Sequence, residues 1–294
     1  MTATTVGGAL AEPGGRGGLV EVFRHRYLLR LLVRKEVRVR YQGSLFGFAW
    51  SYVKPTIRFA VYFFVLGVIL GLRKSVENFP VHIFAGMVLI HFFNETFSSA
   101  TRSVVRNKAL VRKIYLPREM FPVASLLVSA VNFVPPFIVL FIGAFVTGWA
   151  PSWAGVGTAL LAVAIISVFA MAVGLLFSAL NVFFRDFQNV VEVTSLLIFW
   201  STPMIYPWSR VADNFGGTWV ETLYLANPLA SAVMLFQRTW WIPTISENES
   251  AAAASELAPH LVERGLVILA AVVVLLLVAQ RVFSRLEPHF AEEL

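Results

Sequence analysis

Six apolar runs constrain this chain more than any other feature. They fall at about 50–72, 81–100, 121–147, 153–184, 190–208 and 266–282. An α-helix needs about 20 residues to cross roughly 30 Å of hydrocarbon, and these runs have that order of length. Composition agrees. Only 14% of the 294 residues are charged and 57% are hydrophobic, whereas soluble domains carry about 25% charged residues. A water-soluble fold of this size has too little interior to hide so much apolar surface. The expected class is an all-α integral membrane protein: six transmembrane helices, an N-terminal interfacial helix and a pair of external re-entrant helices.

The flanking segments divide the chain further. Residues 1–18 carry Gly14, Gly15, Gly17 and Gly18 and read as a disordered tail with no signal-peptide pattern. Residues 19–45 set Phe23, Tyr27, Leu28, Leu31 and Leu32 against Arg24, Arg30, Arg34 and Arg38. That separation of faces suits a helix lying in the membrane surface, or one docked on a partner. Residues 46–294 form the transmembrane domain. Lys54 and Arg58 near the start of the first run can snorkel to the headgroups. Pro135-Pro136 should bend the third run, and Pro203 and Pro207 should break the fifth late in its course.

Charge sets the orientation. With the N-terminus inside, 19 of the 24 Lys and Arg residues face the cytoplasm, leaving Arg73, Lys74, Arg210, Arg238 and Arg264 outside. Positive charge is retained inside, so both termini are expected in the cytoplasm. In a membrane chain the net charge of +7 reports topology rather than nucleic-acid binding. On the outer side, residues 219–242 are too apolar for a free loop, yet Asn227-Pro228 interrupts them. Proline disfavours helical geometry in the residue before it, so two short helices with a break are expected. Their break must be buried in protein or in a watery cavity. A seventh span is the competing reading, but it would sink Arg238 in lipid and put the C-terminus outside.

The sequence carries little catalytic chemistry. It lacks a GxxxxGK[ST] loop, an HExxH pair, a GxSxG elbow and any cysteine. No cofactor or metal is expected in the chain, and it reads as a conduit rather than an enzyme. Glu95 is its most notable ionisable group, lying in the second run with His91 one turn before and Arg102 about two turns after. An intramembrane carboxylate is a functional hypothesis, though Glu95 can equally cap a polar cluster near the inner interface. The basic loop that follows alternates Val104, Val105, Leu110 and Ile114 with Arg106, Lys108, Arg112 and Lys113, and Pro117 ends it. The spacing predicts a short helix over 104–118, suited to a soluble partner or to anionic lipid.

Several motifs resemble one family. Arg40-Tyr41, Ser44, Leu45, Gly47, Trp50 and Pro55 are similar to the opening RYxxSxLGxxW…P pattern of ABC-2 type polysaccharide-export permeases. Asn107, Leu110, Val111, Lys113 and Leu116-Pro117-Arg118-Glu119 resemble that family's NxxLVxKxxFPRE loop, with Leu116 where Phe is usual. Arg185-Asp186 matches its RD turn, Ser201–Pro207 its SPxxYP motif with Thr202 inserted, and Asn227-Pro228 its NP pair. Each motif is soft, but five in order are specific.

The resemblance implies the membrane subunit of an O-antigen, teichoic-acid or galactan type exporter in a bacterial cytoplasmic membrane. It implies a homodimer working with two copies of a separate ATPase, which holds the ATP and Mg, and a polyprenyl-linked polysaccharide as cargo. A permease for a drug or small lipid shares the topology and is the alternative. On this reading Arg106, Asn107, Lys108, Leu110, Arg112, Lys113, Ile114, Pro117, Arg118, Glu119, Arg185 and Asp186 couple to the ATPase. Phe59, Tyr62, Phe63, Phe92, Phe93, Phe199 and Trp200 supply aromatic faces for sugars, with Glu95 beside them. Leu225, Asn227, Pro228, Leu229, Trp240 and Trp241 belong to an external gate or a static lid.

Overall fold

The structure is a computed structural model that describes residues 18–74, 76–113, 116–245 and 257–294. Residues 1–17 of the expected 1–18 tail and Ile114 lie outside the described residues, and Gly18 begins the first helix. Every regular element among the described residues is helical. Four stretches are long and apolar enough to cross a bilayer: Gly47–Ile69, Met120–Val146, Trp153–Phe183 and Leu261–His289.

The N-terminal amphipathic segment forms two helices, α1 (Gly18–Arg24) and α2 (Arg26–Tyr41), hinged at His25. Their inward side chains Val22, Leu29 and Leu32 join a buried cluster with Phe121, Leu175, Phe283 and Phe290. The pair is therefore docked on the chain's own helix ends. Phe23 and Tyr27 stay more than two-thirds exposed, at 67% and 69%, which leaves an apolar edge free for lipid. Next comes α3 (Trp50–Tyr62), which runs on as a π-helix through Phe63–Ile69. Gly67 lies in that wider turn, where an added Cβ would stand 3.1 Å from the Phe79 ring.

Helix α4 (Phe79–Arg106) is the axis of the molecule. It packs against α6 (Met120–Val146), α7 (Trp153–Phe183), α8 (Phe187–Trp200) and α11 (Pro228–Trp240). Being enclosed lets it carry buried Thr101 and Ser103, whose hydroxyls donate to the backbone carbonyls of Phe97 and Ala100. Small residues bring α4 and α7 together: a Cβ on Gly174 would meet that of Ala100 at 2.8 Å. Close backbone approach of this kind is how helices pair where lipid removes the hydrophobic drive. The helix continues to Arg106, six residues past the end of the second apolar run, with Thr101, Ser103 and Val104 buried and Arg102 and Arg106 exposed.

The fifth run breaks near its prolines as expected, but its helix ends earlier than the expected span, ahead of Pro203. Helix α8 stops at Trp200 and spans about 21 Å at 1.5 Å per residue, too short to cross a bilayer. Residues 201–208 then fold as a non-helical segment in which Thr202, Pro203, Met204, Ile205 and Trp208 are buried. Irregular backbone at such depth survives only where protein satisfies it. Here Gln237 Nε2 donates to the Pro203 carbonyl at 2.9 Å, and the Tyr206 hydroxyl donates to the Trp200 carbonyl at 2.7 Å. Gly86 makes room for the turn, since a Cβ there would lie 2.3 Å from that of Met204. The remaining helices are α5 (Lys108–Lys113), α9 (Ser209–Phe215), α10 (Trp219–Leu225), α12 (Leu261–Leu286) and α13 (Phe290–Glu293).

Candidate substrate cleft and coupling surface

Glu95 is the centre of a polar junction between α2, α4 and α6. Its side chain is 9% exposed and is ion-paired with Arg40 at the end of α2. It also accepts a 2.6 Å bond from Asn132 Nδ2 of α6, while the Tyr41 hydroxyl donates to Asn132 Oδ1 at 2.7 Å. His91 lies 3.9 Å from the carboxylate, and Arg58 approaches its ring at 3.2 Å. Arg102 turns away from Glu95 to Ser98 Oγ at 2.6 Å, so the charge that answers Glu95 comes from another helix. Arg40 and Asn132 were the residues sequence reasoning missed. A lone Asn within the apolar third run was the available signal for the second.

A cleft opens beside this junction. At one end it is lined by Arg40, Lys54, Arg58, His91 and Glu95, with Tyr41, Ser51 and Asn132. At the other it is lined by Tyr62, Phe84, Met87, Val88, Phe199 and Met204, and the two ends share Pro55, Arg58 and His91. Three permanent cations face one carboxylate, which is already paired, so the polar end carries net positive charge. The predicted aromatics divide around the cleft. Tyr62 and Phe199 line it with ring centroids 5.1 Å apart, and Phe59 stands behind, 4.7 Å from Phe84 and 6.0 Å from Phe63. Trp200 touches Phe199 at 5.3 Å but faces outward, 57% exposed. Phe92 and Phe93 lie in the core, against Phe133 and Phe169 at 5.3 Å each.

The basic loop forms a separate surface. Asn107 breaks the helix between α4 and α5 and donates from Nδ2 to the Ser103 carbonyl at 2.9 Å. Two contacts tie α2 to this junction, Arg106 to Glu36 at 2.7 Å and Lys35 to Asn107 Oδ1 at 3.4 Å. Lys108, Arg112 and Lys113 point to solvent, whereas Val111 is buried and Leu110 half-buried against the inner cluster. The outward face of α5 is thus cationic, and its apolar residues anchor it to the chain. Arg185 and Asp186 lie exposed in the α7–α8 turn beside Phe184, which is 64% exposed. Half-buried Pro117 precedes Arg118 and Glu119, which turn inward toward α12.

The 219–242 segment does break in two. Asn227 adopts an extended conformation, and its side chain caps α11 by accepting from the Leu229 N–H at 3.0 Å, with Pro228 in the first turn. The halves differ in burial. Helix α10 keeps Trp219 and Leu223 exposed at 76% and 64%, and buries Leu225. Leu229 and the rest of the α11 apolar face are buried against α4, α7 and α12. Trp240 stacks on Trp149 at 4.7 Å, and Trp241 Nε1 donates to the Glu77 carbonyl at 2.8 Å.

Residues 27–239 match the ABC-2 type transporter family. The chain belongs to that family. Within this ABC-2 transporter chain the matched stretch takes in α2 through nearly all of α11, and so contains the cleft, the basic surface and the α10–α11 pair. Among similar proteins is the O-antigen export system permease protein RfbA of Myxococcus xanthus, 28% identical over 275 residues, covering 93% of this chain and 98% of that protein. An O-antigen export system permease protein RfbA of Klebsiella pneumoniae is 28% identical over 208 residues, 70% of this chain and 77% of its own.

Proposed function

We propose that this chain is the membrane-spanning permease subunit of an ATP-driven exporter of lipid-linked polysaccharide. The observation that carries the reading is a cleft of two adjoining pockets that share Pro55, Arg58 and His91, one cationic at Arg40, Lys54 and Arg58 and the other aromatic at Tyr62, Phe84 and Phe199. A polyprenyl-linked glycan combines the matching chemistry. Its phosphate groups suit the guanidinium and ammonium groups, and sugar C–H faces suit the rings. The resemblance to proteins named as O-antigen export permeases supports the same cargo class.

In this reading the chain has six spans with both termini in the cytoplasm of a bacterium: the four long apolar helices, α4, and α8 extended across the remaining depth by the buried segment 201–208. Two copies enclose the path, since α3 with its π-helical extension keeps most of its surface free, only 11% of its apolar window being buried. Two ATPase subunits bind the cationic face of α5 and the 184–186 turn. They supply the nucleotide chemistry, the chain having no phosphate-cradling loop of its own. On the outer side α11 is a fixed lid, as its burial supports, and α10 with the Asn227 hinge is the part that moves. Depleting the chain should trap lipid-linked glycan on the inner leaflet. Unchanged glycan display after depletion would overturn the proposal.

A further inference from the structure

Arg118 and Glu119 close the loop after α5, and both turn to the C-terminal part of the chain. Glu119 is 2% exposed, and its Oε1 accepts a 2.8 Å bond from Gln280 Nε2 of α12. The Arg118 guanidinium bonds the Glu287 carbonyl, lies 4.0 Å from the Glu287 carboxylate and covers the Phe290 ring at 5.7 Å. The Arg118 N–H donates to the same carboxylate at 3.4 Å. Phe290 in turn is wholly buried, 5.4 Å from Phe283 and 6.0 Å from Phe183. Gln280 and Glu287 are about two helical turns apart, so the two ties resist both sliding and rotation of the helix end.

We propose that Arg118 and Glu119 are positioning residues that carry displacement of α5 into α12, making the C-terminal segment 287–294 part of the coupling machinery. The inference rests on α5 as the ATPase contact, and it gives this pair a role other than touching the ATPase. Two physical points support it. A buried carboxylate that leaves its amide donor is left unsatisfied, so the Glu119–Gln280 tie persists through a movement more readily than it breaks. The partners of the pair, Gln280 and Glu287, lie on α12 and at the turn that follows it, so the linkage reaches the C-terminal end of the chain.

The native chain has no cysteine, so Arg285→Cys, on an exposed position near the end of α12, can carry a single environment-sensitive dye. The labelled chain is purified with its ATPase, in nanodiscs, and its emission compared without nucleotide and with a non-hydrolysable ATP analogue. An otherwise wild-type chain should show a nucleotide-dependent change. In Arg118→Gln that change should fall about tenfold and export with it, while ATP turnover stays within about twofold. Arg118→Lys, which keeps the charge without the planar fork, should recover part of both. Gln280→Ala tests the second tie from the α12 side and replaces Arg118→Gln should that variant not yield a folded complex. A full-sized emission change in either folded variant would overturn the inference while leaving the ATPase contact standing. Failure of the otherwise wild-type chain to capture an ATPase would instead overturn the reading of α5, and the inference with it.

Discussion

At the scale of single residues, Glu95 joins three helices that are distant in sequence. Its carboxylate answers Arg40, 55 residues earlier, and Asn132, 37 residues later. Glu95→Ala would leave the Asn132 amide without its acceptor and Arg40 without its counter-charge. Leaving such a group unsatisfied costs about 1–3 kcal/mol, and the larger values do not apply because Arg40 is 45% exposed. The expected result is a lower thermal midpoint in detergent and slower export, with Glu95→Gln falling between the variant and wild type. A midpoint and rate unchanged in Glu95→Ala would contradict the junction. Glu95 itself was legible as a lone carboxylate in an apolar run. Its partners were not, because periodicity relates residues three or four apart and says nothing of contacts 55 apart. The neighbour it did offer, Arg102, is taken by Ser98.

At the scale of elements, the loop after α4 and the external pair each yield a prediction. The outward face of α5 is Lys108, Arg112 and Lys113, while Leu110 packs inward, so on the proposed reading charge would carry the docking of an ATPase. Reversing the three to Glu should abolish copurification of the ATPase at physiological salt and leave the chain folded. Retained copurification would place the contact elsewhere. For the external pair, introduced cysteines distinguish a moving part from a fixed one. Leu223→Cys on α10 should react readily with an impermeant thiol reagent and change its rate with nucleotide state, whereas Leu229→Cys on buried α11 should stay protected in both. Equal, constant labelling at the two sites would make the whole segment a static lid. The break itself was readable from Asn227-Pro228, since proline restricts its neighbour by local sterics. The end of α8 was harder to read. Pro203 and Pro207 marked a break near here, but they did not show that the helix ends at Trp200 or that the residues after it are buried. The burial of this turn depends on Gly86 and Gln237, on other helices, which make room for it and bond its backbone.

At the scale of the whole molecule, two buried clusters divide the work. The larger surrounds α4, α7 and α11 and holds the α10–α11 pair in place, while the smaller binds α1 and α2 to α6, α7 and α12. The cleft lies beside both, with the α2 end cationic and the far end aromatic. The basic surface and the cleft are joined by α2, which is tied to the α4–α5 junction by Glu36 and Lys35 and to Glu95 by Arg40. Membrane class and family motifs were open to the sequence because lipid imposes run length and turns impose residue type. The cleft was not, because it is assembled from α2, α3, α4, α6 and the segment after α8. The most direct test is transport in proteoliposomes holding the chain and its ATPase, with a polyprenyl-diphosphate-linked oligosaccharide in the outer leaflet and the ATPase outward. ATP should move the glycan into the lumen, where an added glycosidase cannot reach it, and a non-hydrolysable analogue should not. ATP hydrolysis that leaves the glycan fully digestible, or that protects a labelled phospholipid or drug instead, would contradict the account.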